Sequence, residues 1–120
     1  MKDVAQDNRM AIATTILAQL GGHKFVVMTG AKNLLALGAE TQPDYAGLRF
    51  RLPGAGGRTK NGINLVTITL LPSDTYHLRF EKSRRGKFGF TSKTIAEHDG
   101  IYDDQLQEIF TRETGLDTHL

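Results

Sequence analysis

The spacing of hydrophobic positions changes period twice along the chain, and those changes divide it into elements. Ile12, Ile16, Leu17 and Leu20 recur on one face of a 3.6-residue period. A helix is expected over residues 3–20, with Asp3 as its cap and Gly21-Gly22 as its stop. Phe25-Val26-Val27-Met28 reads as a short buried strand ended by Thr29-Gly30. Ala31 to Leu37 reads as a short helical turn stopped by Gly38, and Thr41-Gln42-Pro43-Asp44 as a turn.

A period of two then takes over. Leu48, Phe50 and Leu52 alternate with Arg49 and Arg51. Val66, Ile68 and Leu70 alternate with Leu65, Thr67, Thr69 and Leu71, and Leu78 and Phe80 alternate with His77, Arg79 and Glu81. Pro72-Ser73-Asp74-Thr75 joins the last two strands, and Ser83-Arg84-Arg85-Gly86-Lys87 reads as a second turn leading to a strand from Phe88 toward Ala96. The helical period returns over residues 103–114, where Leu106, Ile109 and Phe110 share a face; Asp103 and Asp104 suit its positive end and Gly115 its left-handed stop.

The predicted fold is α+β. It is a two-layer sandwich in which an antiparallel meander of three to five strands carries the N- and C-terminal helices on one face. The helices would cover Phe50, Ile68, Leu78 and Phe80, leaving Arg49, Arg51, Thr67, Thr69, His77 and Arg79 on the other face.

Composition narrows the chemistry. One domain is expected from 120 residues, with an ordinary 39% hydrophobic and 23% charged content. The absence of cysteine excludes disulfides, thiolate zinc sites and thiol nucleophiles, and fits a reducing cytoplasm. No apolar stretch approaches the ~20 residues of a membrane helix, and no signal peptide is read at the start.

Charge is sorted by position. Residues 1–48 balance at four bases and four acids, residues 49–93 hold ten bases against two acids, and residues 94–120 hold one base against seven acids. The net of +2 hides a basic middle and an acidic tail, and such fields steer polyanions or acidic surfaces. The candidate nucleic-acid contacts are Arg49, Arg51 and Arg79 on the sheet face, Arg58 and Lys60 in the glycine-rich loop 54–62, and Arg84, Arg85 and Lys87 in the second turn. Each has a plainer reading: a solvated sheet face, a mobile hairpin loop, a charged edge that blocks aggregation. The loop is no P-loop, because the Gly-Lys-Ser/Thr ending is missing and a strand follows.

Glu97-His98-Asp99 with Asp103-Asp104 is the one constellation with metal-like residue types, and an acid-rich helix start is its plainer reading. No catalytic residue, metal or cofactor is assigned from the sequence. Glu97, Asp99, Asp103 and Asp104 form the alternative interaction surface, for a basic protein partner or the basic block of a second copy.

Two resemblances add to this. The predicted helix–three strands–helix order resembles the double-stranded RNA-binding domain. That family grips phosphates with a lysine cluster at the start of its last helix, where this chain has Asp103 and Asp104, so no residues carry over. The runs Ala18-Gln19-Leu20-Gly21-Gly22-His23-Lys24-Phe25, Met28-Thr29-Gly30-Ala31-Lys32-Asn33, Lys60-Asn61-Gly62-Ile63-Asn64, Tyr102-Asp103-Asp104-Gln105-Leu106 and Phe110-Thr111-Arg112-Glu113-Thr114-Gly115-Leu116 resemble small proteins of bacteriophages and other mobile elements. That resemblance implies an accessory role inside a bacterial host. The expectation is a non-enzymatic nucleic-acid-binding protein, with DNA and RNA both open. The alternative is a module that inhibits a host defence complex.

Overall fold

The computed structural model describes residues 4–37, 46–53, 59–87 and 89–118. Helix α1 (Val4–Leu20) is followed by α2 (Gly22–Thr29) and then by five strands: β1 (Lys32–Leu37), β2 (Gly47–Arg51), β3 (Leu65–Leu70), β4 (Tyr76–Gly86) and β5 (Gly89–Ile101). A 3-10 turn at Asp103–Gln105 leads into α3 (Leu106–Thr114). The strands lie in the order β1-β2-β3-β4-β5, all antiparallel, as an open sheet.

The predicted alternation sets the faces. Phe50 pairs with Val66 and Val66 with Phe80, while Leu48 pairs with Ile68 and Ile68 with Leu78. All six are buried. Ile16 and Leu20 of α1, Phe25 of α2, and Leu106 and Phe110 of α3 complete the same core. Phe25 stands edge-on to Phe50 at 5.4 Å and to Phe110 at 5.1 Å, so one ring from α2 locks the last helix to the sheet. Gln107 Nε2 donates to the Leu20 carbonyl at 2.9 Å, which satisfies an orphan acceptor at the end of α1 and ties α3 to it.

Two elements differ from the sequence reading. The expected strand at 25–28 is helix α2, bent by 67° from the Met10–Leu20 part of α1. Gly21, at φ 129°, makes that break in a conformation that side chains rarely adopt. Phe25 and Thr29, four residues apart, face the core while Val27 is 66% exposed, which is helical and not strand burial. The Thr29 hydroxyl donates to the Phe25 carbonyl and accepts from the Ala31 amide, and Gly30 ends the helix in the left-handed region. The expected helical turn at 31–37 is strand β1: Leu35, Ala36 and Leu37 pair with Arg49, Leu48 and Gly47. Pairing with β2 overrides the helix preference of its Ala, Leu and Lys residues. The expected turn at 41–44 lies outside the described residues.

The third difference bears on function. The expected turn at 83–87 is mostly strand, because β4 runs on to Gly86 and β5 pairs with it down to Gly86↔Gly89. Strand β3 begins at Leu65, opposite Glu81, so β4 and β5 continue past the sheet as a two-stranded arm. Asn64 ends the support. Its amide donates through Nδ2 to the Ser83 carbonyl at 2.8 Å and accepts through Oδ1 from the Ser83 N–H at 2.7 Å, imitating one more residue of strand backbone. Asn64→Ala should therefore loosen the root of the arm at a cost of about 1–3 kcal/mol. Hydrogen exchange checks this: the Ser83 amide should lose protection while the amides of Ile68 and Leu78 keep theirs, and an unchanged Ser83 amide would refute the clamp.

At the other end, Gly115, with φ 80°, stops α3 as the sequence predicts, and Leu116 packs against the core. No single helix among the described residues is long and apolar enough to cross a membrane.

Candidate nucleic-acid interface

The outer face of the sheet is the first place to look for the basic surface. Register builds one cross-sheet row from Leu35, Arg49, Thr67, Arg79 and Glu97. Arg49 Nε donates to Thr67 Oγ1 at 3.1 Å. Arg79 lies 3.6 Å from Glu97 and 3.9 Å from the buried Glu81. His77 Nε2 lies 3.0 Å from Glu97 Oε2, and its Nδ1 contacts Asp99. Glu97 and Asp99 come from β5, so part of the tail's charge folds back over the basic face and offsets its β4 side. The half-buried Arg51 lies between Lys32 and Leu65.

The remaining predicted contacts separate as well. Arg58 lies outside the described residues. Lys60 Nζ donates to the Arg112 carbonyl at 3.0 Å, beside Gly115, so this ammonium caps the negative end of α3. That contact gives Lys60 a structural task and fastens the 60–62 turn to the last helix. Arg84, Arg85 and Lys87 all lie on the β4–β5 arm.

The root of the arm is where cations stand without a carboxylate partner among the described residues. Residues 82–93 contain five bases and no acid. Lys82 pairs with Lys93, Arg84 with Thr91 and Arg85 with Phe90. Lys82, Arg84 and Lys93 line a cleft of about 650 Å³ at the root of the arm, with Asn61 on its other wall. No carboxylate among the described residues stands within ion-pair distance of these three cations. The opposite wall approaches closely, since a Cβ placed on Gly62 would lie 3.1 Å from Lys82 Cε. Asn61, at φ 56°, and Gly62, at φ 72°, give that turn its shape. Cations held near one another with no internal counter-charge repel, and an anion between them relieves the repulsion.

Lys82 and Lys93 are candidate site residues that a motif reading passes over. The signal available in the sequence is the acid-free run itself, which becomes meaningful once 82–93 is known to be one hairpin rather than a turn and a separate strand.

The residues of the alternative acidic surface have different neighbours. Glu97 and Asp99 contact His77 and Arg79 on the outer sheet face. Asp103 faces a cavity of about 540 Å³ between α1 and the β3–β4 connection, whereas Asp104 sits with Gln107 and Glu108. Glu97, His98 and Asp99 belong to strand β5, not to an acid-rich helix start, and His98 contacts Glu113 of α3. Among the described residues no group of three His, Asp or Glu side chains is arranged to hold a metal ion.

Tyr76 lines the 540 Å³ cavity, and its hydroxyl donates to Gln19 Oε1 at 2.8 Å. Burial pushes this phenol above its ordinary pKa; the Gln19 hydrogen bond opposes that, and the charges of Asp103 and Asp74 add to the rise. The hydroxyl is thereby held in its neutral form, the opposite of what an activated nucleophile or base requires.

No protein-family model, curated protein or solved structure matches the chain.

Proposed function

We propose that this protein is a non-enzymatic nucleic-acid-binding protein that holds the phosphate backbone with its β4–β5 arm. The observation that carries the reading is the cleft lined by Lys82, Arg84 and Lys93, three cations without an internal carboxylate partner among the described residues. Phosphate contacts of this kind supply affinity that tolerates sequence and falls steeply with salt. The outer sheet face is a secondary contributor, because Arg79 is already engaged by Glu97 and Glu81. An accessory role in a mobile genetic element fits a small binding protein of this kind.

The test is a fluorescence-anisotropy titration with labelled DNA and RNA over a range of salt. The wild-type chain should bind, with log affinity falling linearly against log salt. Replacing Lys82, Arg84 and Lys93 together by alanine should lower that slope by about 2–3 units, at roughly 0.9 per lost phosphate contact on duplex. Binding that survives the triple substitution unchanged, or no binding even at low salt, would refute the reading. In that event a pull-down from nuclease-treated bacterial lysate would search for a protein partner instead.

A further inference from the structure

Resting on that reading, we infer that the nucleic acid is duplex DNA in the B form, entered through its major groove by the β4–β5 arm. The argument begins with the shape of the arm. From Lys82↔Lys93 to Gly86↔Gly89 the two strands pair with each other in unbroken register. The last bond from the rest of the sheet is the Asn64 clamp on Ser83. What remains is a narrow, twisted, two-stranded ribbon. Beyond Ser83, its three residue steps to Gly86 reach roughly 10 Å at ~3.3 Å per step. The B-DNA major groove is about 12 Å wide and 8.5 Å deep and admits a two-stranded ribbon of this kind. The arm is therefore long enough to reach the groove floor while its root stays at the phosphate rims.

Charge is distributed to match. Lys82 and Lys93 lie opposite each other at the root, one on each strand, where a ribbon in a groove meets the backbones. Arg84 lies two residues further along β4 on the same face of the ribbon, where its guanidinium can reach a phosphate or a base edge. Near the tip, Gly86 pairs with Gly89, and space around Gly89 is open. That pair of glycines carries no side chain, which narrows the ribbon at this step.

The same geometry fits duplex RNA poorly. The A-form major groove is deep and narrow, and protein side chains do not read it. Single strands are usually held by stacked aromatic side chains. Among the described side chains the large aromatics Phe25, Phe50, Phe80 and Phe110 are fully buried. Tyr102, the exposed one, follows the far end of β5, away from the arm. Phe88 and Phe90 belong to the same stretch of sequence, and stacking by them is what a preference for single strands would report.

Competition with labelled probes of one sequence, two helical turns long, tests the inference at fixed salt. Duplex DNA should bind at least about tenfold tighter than duplex RNA or single-stranded DNA. Glucosylated hydroxymethylcytosine, which fills the major groove, should weaken duplex binding by about tenfold or more, while a minor-groove drug such as distamycin should not compete. Arg84→Glu should reduce duplex affinity by about tenfold or more. Equal or tighter binding of RNA, a preference for single strands, or indifference to the glucosyl groups would each overturn the inference. If binding under those outcomes still collapses in the Lys82, Arg84 and Lys93 triple variant, the broader nucleic-acid reading stands and only the groove assignment fails. No binding to any probe would overturn both.

Discussion

Phe110→Ala should cost about 3–5 kcal/mol of folding stability. The side chain is fully buried and meets Phe25 at 5.1 Å and Phe50 at 6.2 Å. Truncation removes the transfer free energy of the ring and leaves a cavity whose walls come from three different elements: α2, α3 and β2. These cannot all collapse inward, because α3 is also held by Gln107 on the Leu20 carbonyl and by Lys60 on the Arg112 carbonyl. A domain of this size has roughly 5–15 kcal/mol of total stability, so the loss is a large share of it. Urea unfolding followed by circular dichroism measures it. A loss under about 1 kcal/mol would mean that the phenylalanine cluster does not close the helices on the sheet. Arg84→Glu is the control. Arg84 is exposed on the arm and outside the core, so stability should change by no more than about 0.5 kcal/mol. The two substitutions separate loss of fold from loss of the proposed binding surface.

Gly47→Ala is the second large effect, and it arises from the backbone. Gly47 is buried on β2 between Leu37 of β1 and Thr69 of β3. A Cβ placed there would stand 2.0 Å from the Ile68 carbonyl oxygen and 2.8 Å from Thr69 Cα. These are backbone atoms and cannot swing aside like the end of a side chain. The strands would have to part next to the bond from the Leu70 amide to the Ala46 carbonyl at 2.8 Å, which begins the β2–β3 ladder. The expected cost is about 3 kcal/mol, at the upper end for overpacking. A thermal melt should show a Tm lower by roughly 10–15 °C. A neutral substitution would show that β2 and β3 do not approach so closely at this point.

Lys60 and Arg79 show why a count of basic residues misjudges a surface. In sequence both belong to the basic middle of the chain. In space one caps a helix and the other faces two carboxylates, so neither is fully available to an anion. Lys82 and Lys93 are eleven positions apart in the chain yet opposite each other on the hairpin, and the fold leaves them without a carboxylate partner among the described residues. A ligand meets the local balance of charge after folding, which depends on which acids the register brings near.

The α+β class, the three alternating strands, the two terminal helices and the stop at Gly115 all follow from the sequence alone. Each rests on a local rule that repeats over many residues: a period of two, a period of 3.6, a glycine where φ must be positive. The inward set Phe50, Ile68, Leu78 and Phe80 and the outward set Arg49, Thr67 and Arg79 follow from the same alternation. Tertiary structure alone decided the rest. Four apolar residues at 25–28 are too few to reveal a period, and the helix there depends on Phe25 finding Phe50 and Phe110. Residues 32–37 become a strand because β2 offers them a partner. The arm's length was hidden because Arg84, Arg85 and Gly86 read as a turn, whereas pairing with residues 89–91 keeps them extended. The partly offset charge of the sheet face and the cleft without a carboxylate partner among the described residues were hidden for one shared reason. Both depend on contacts between residues distant in the chain, and a sequence pattern reports only on near neighbours.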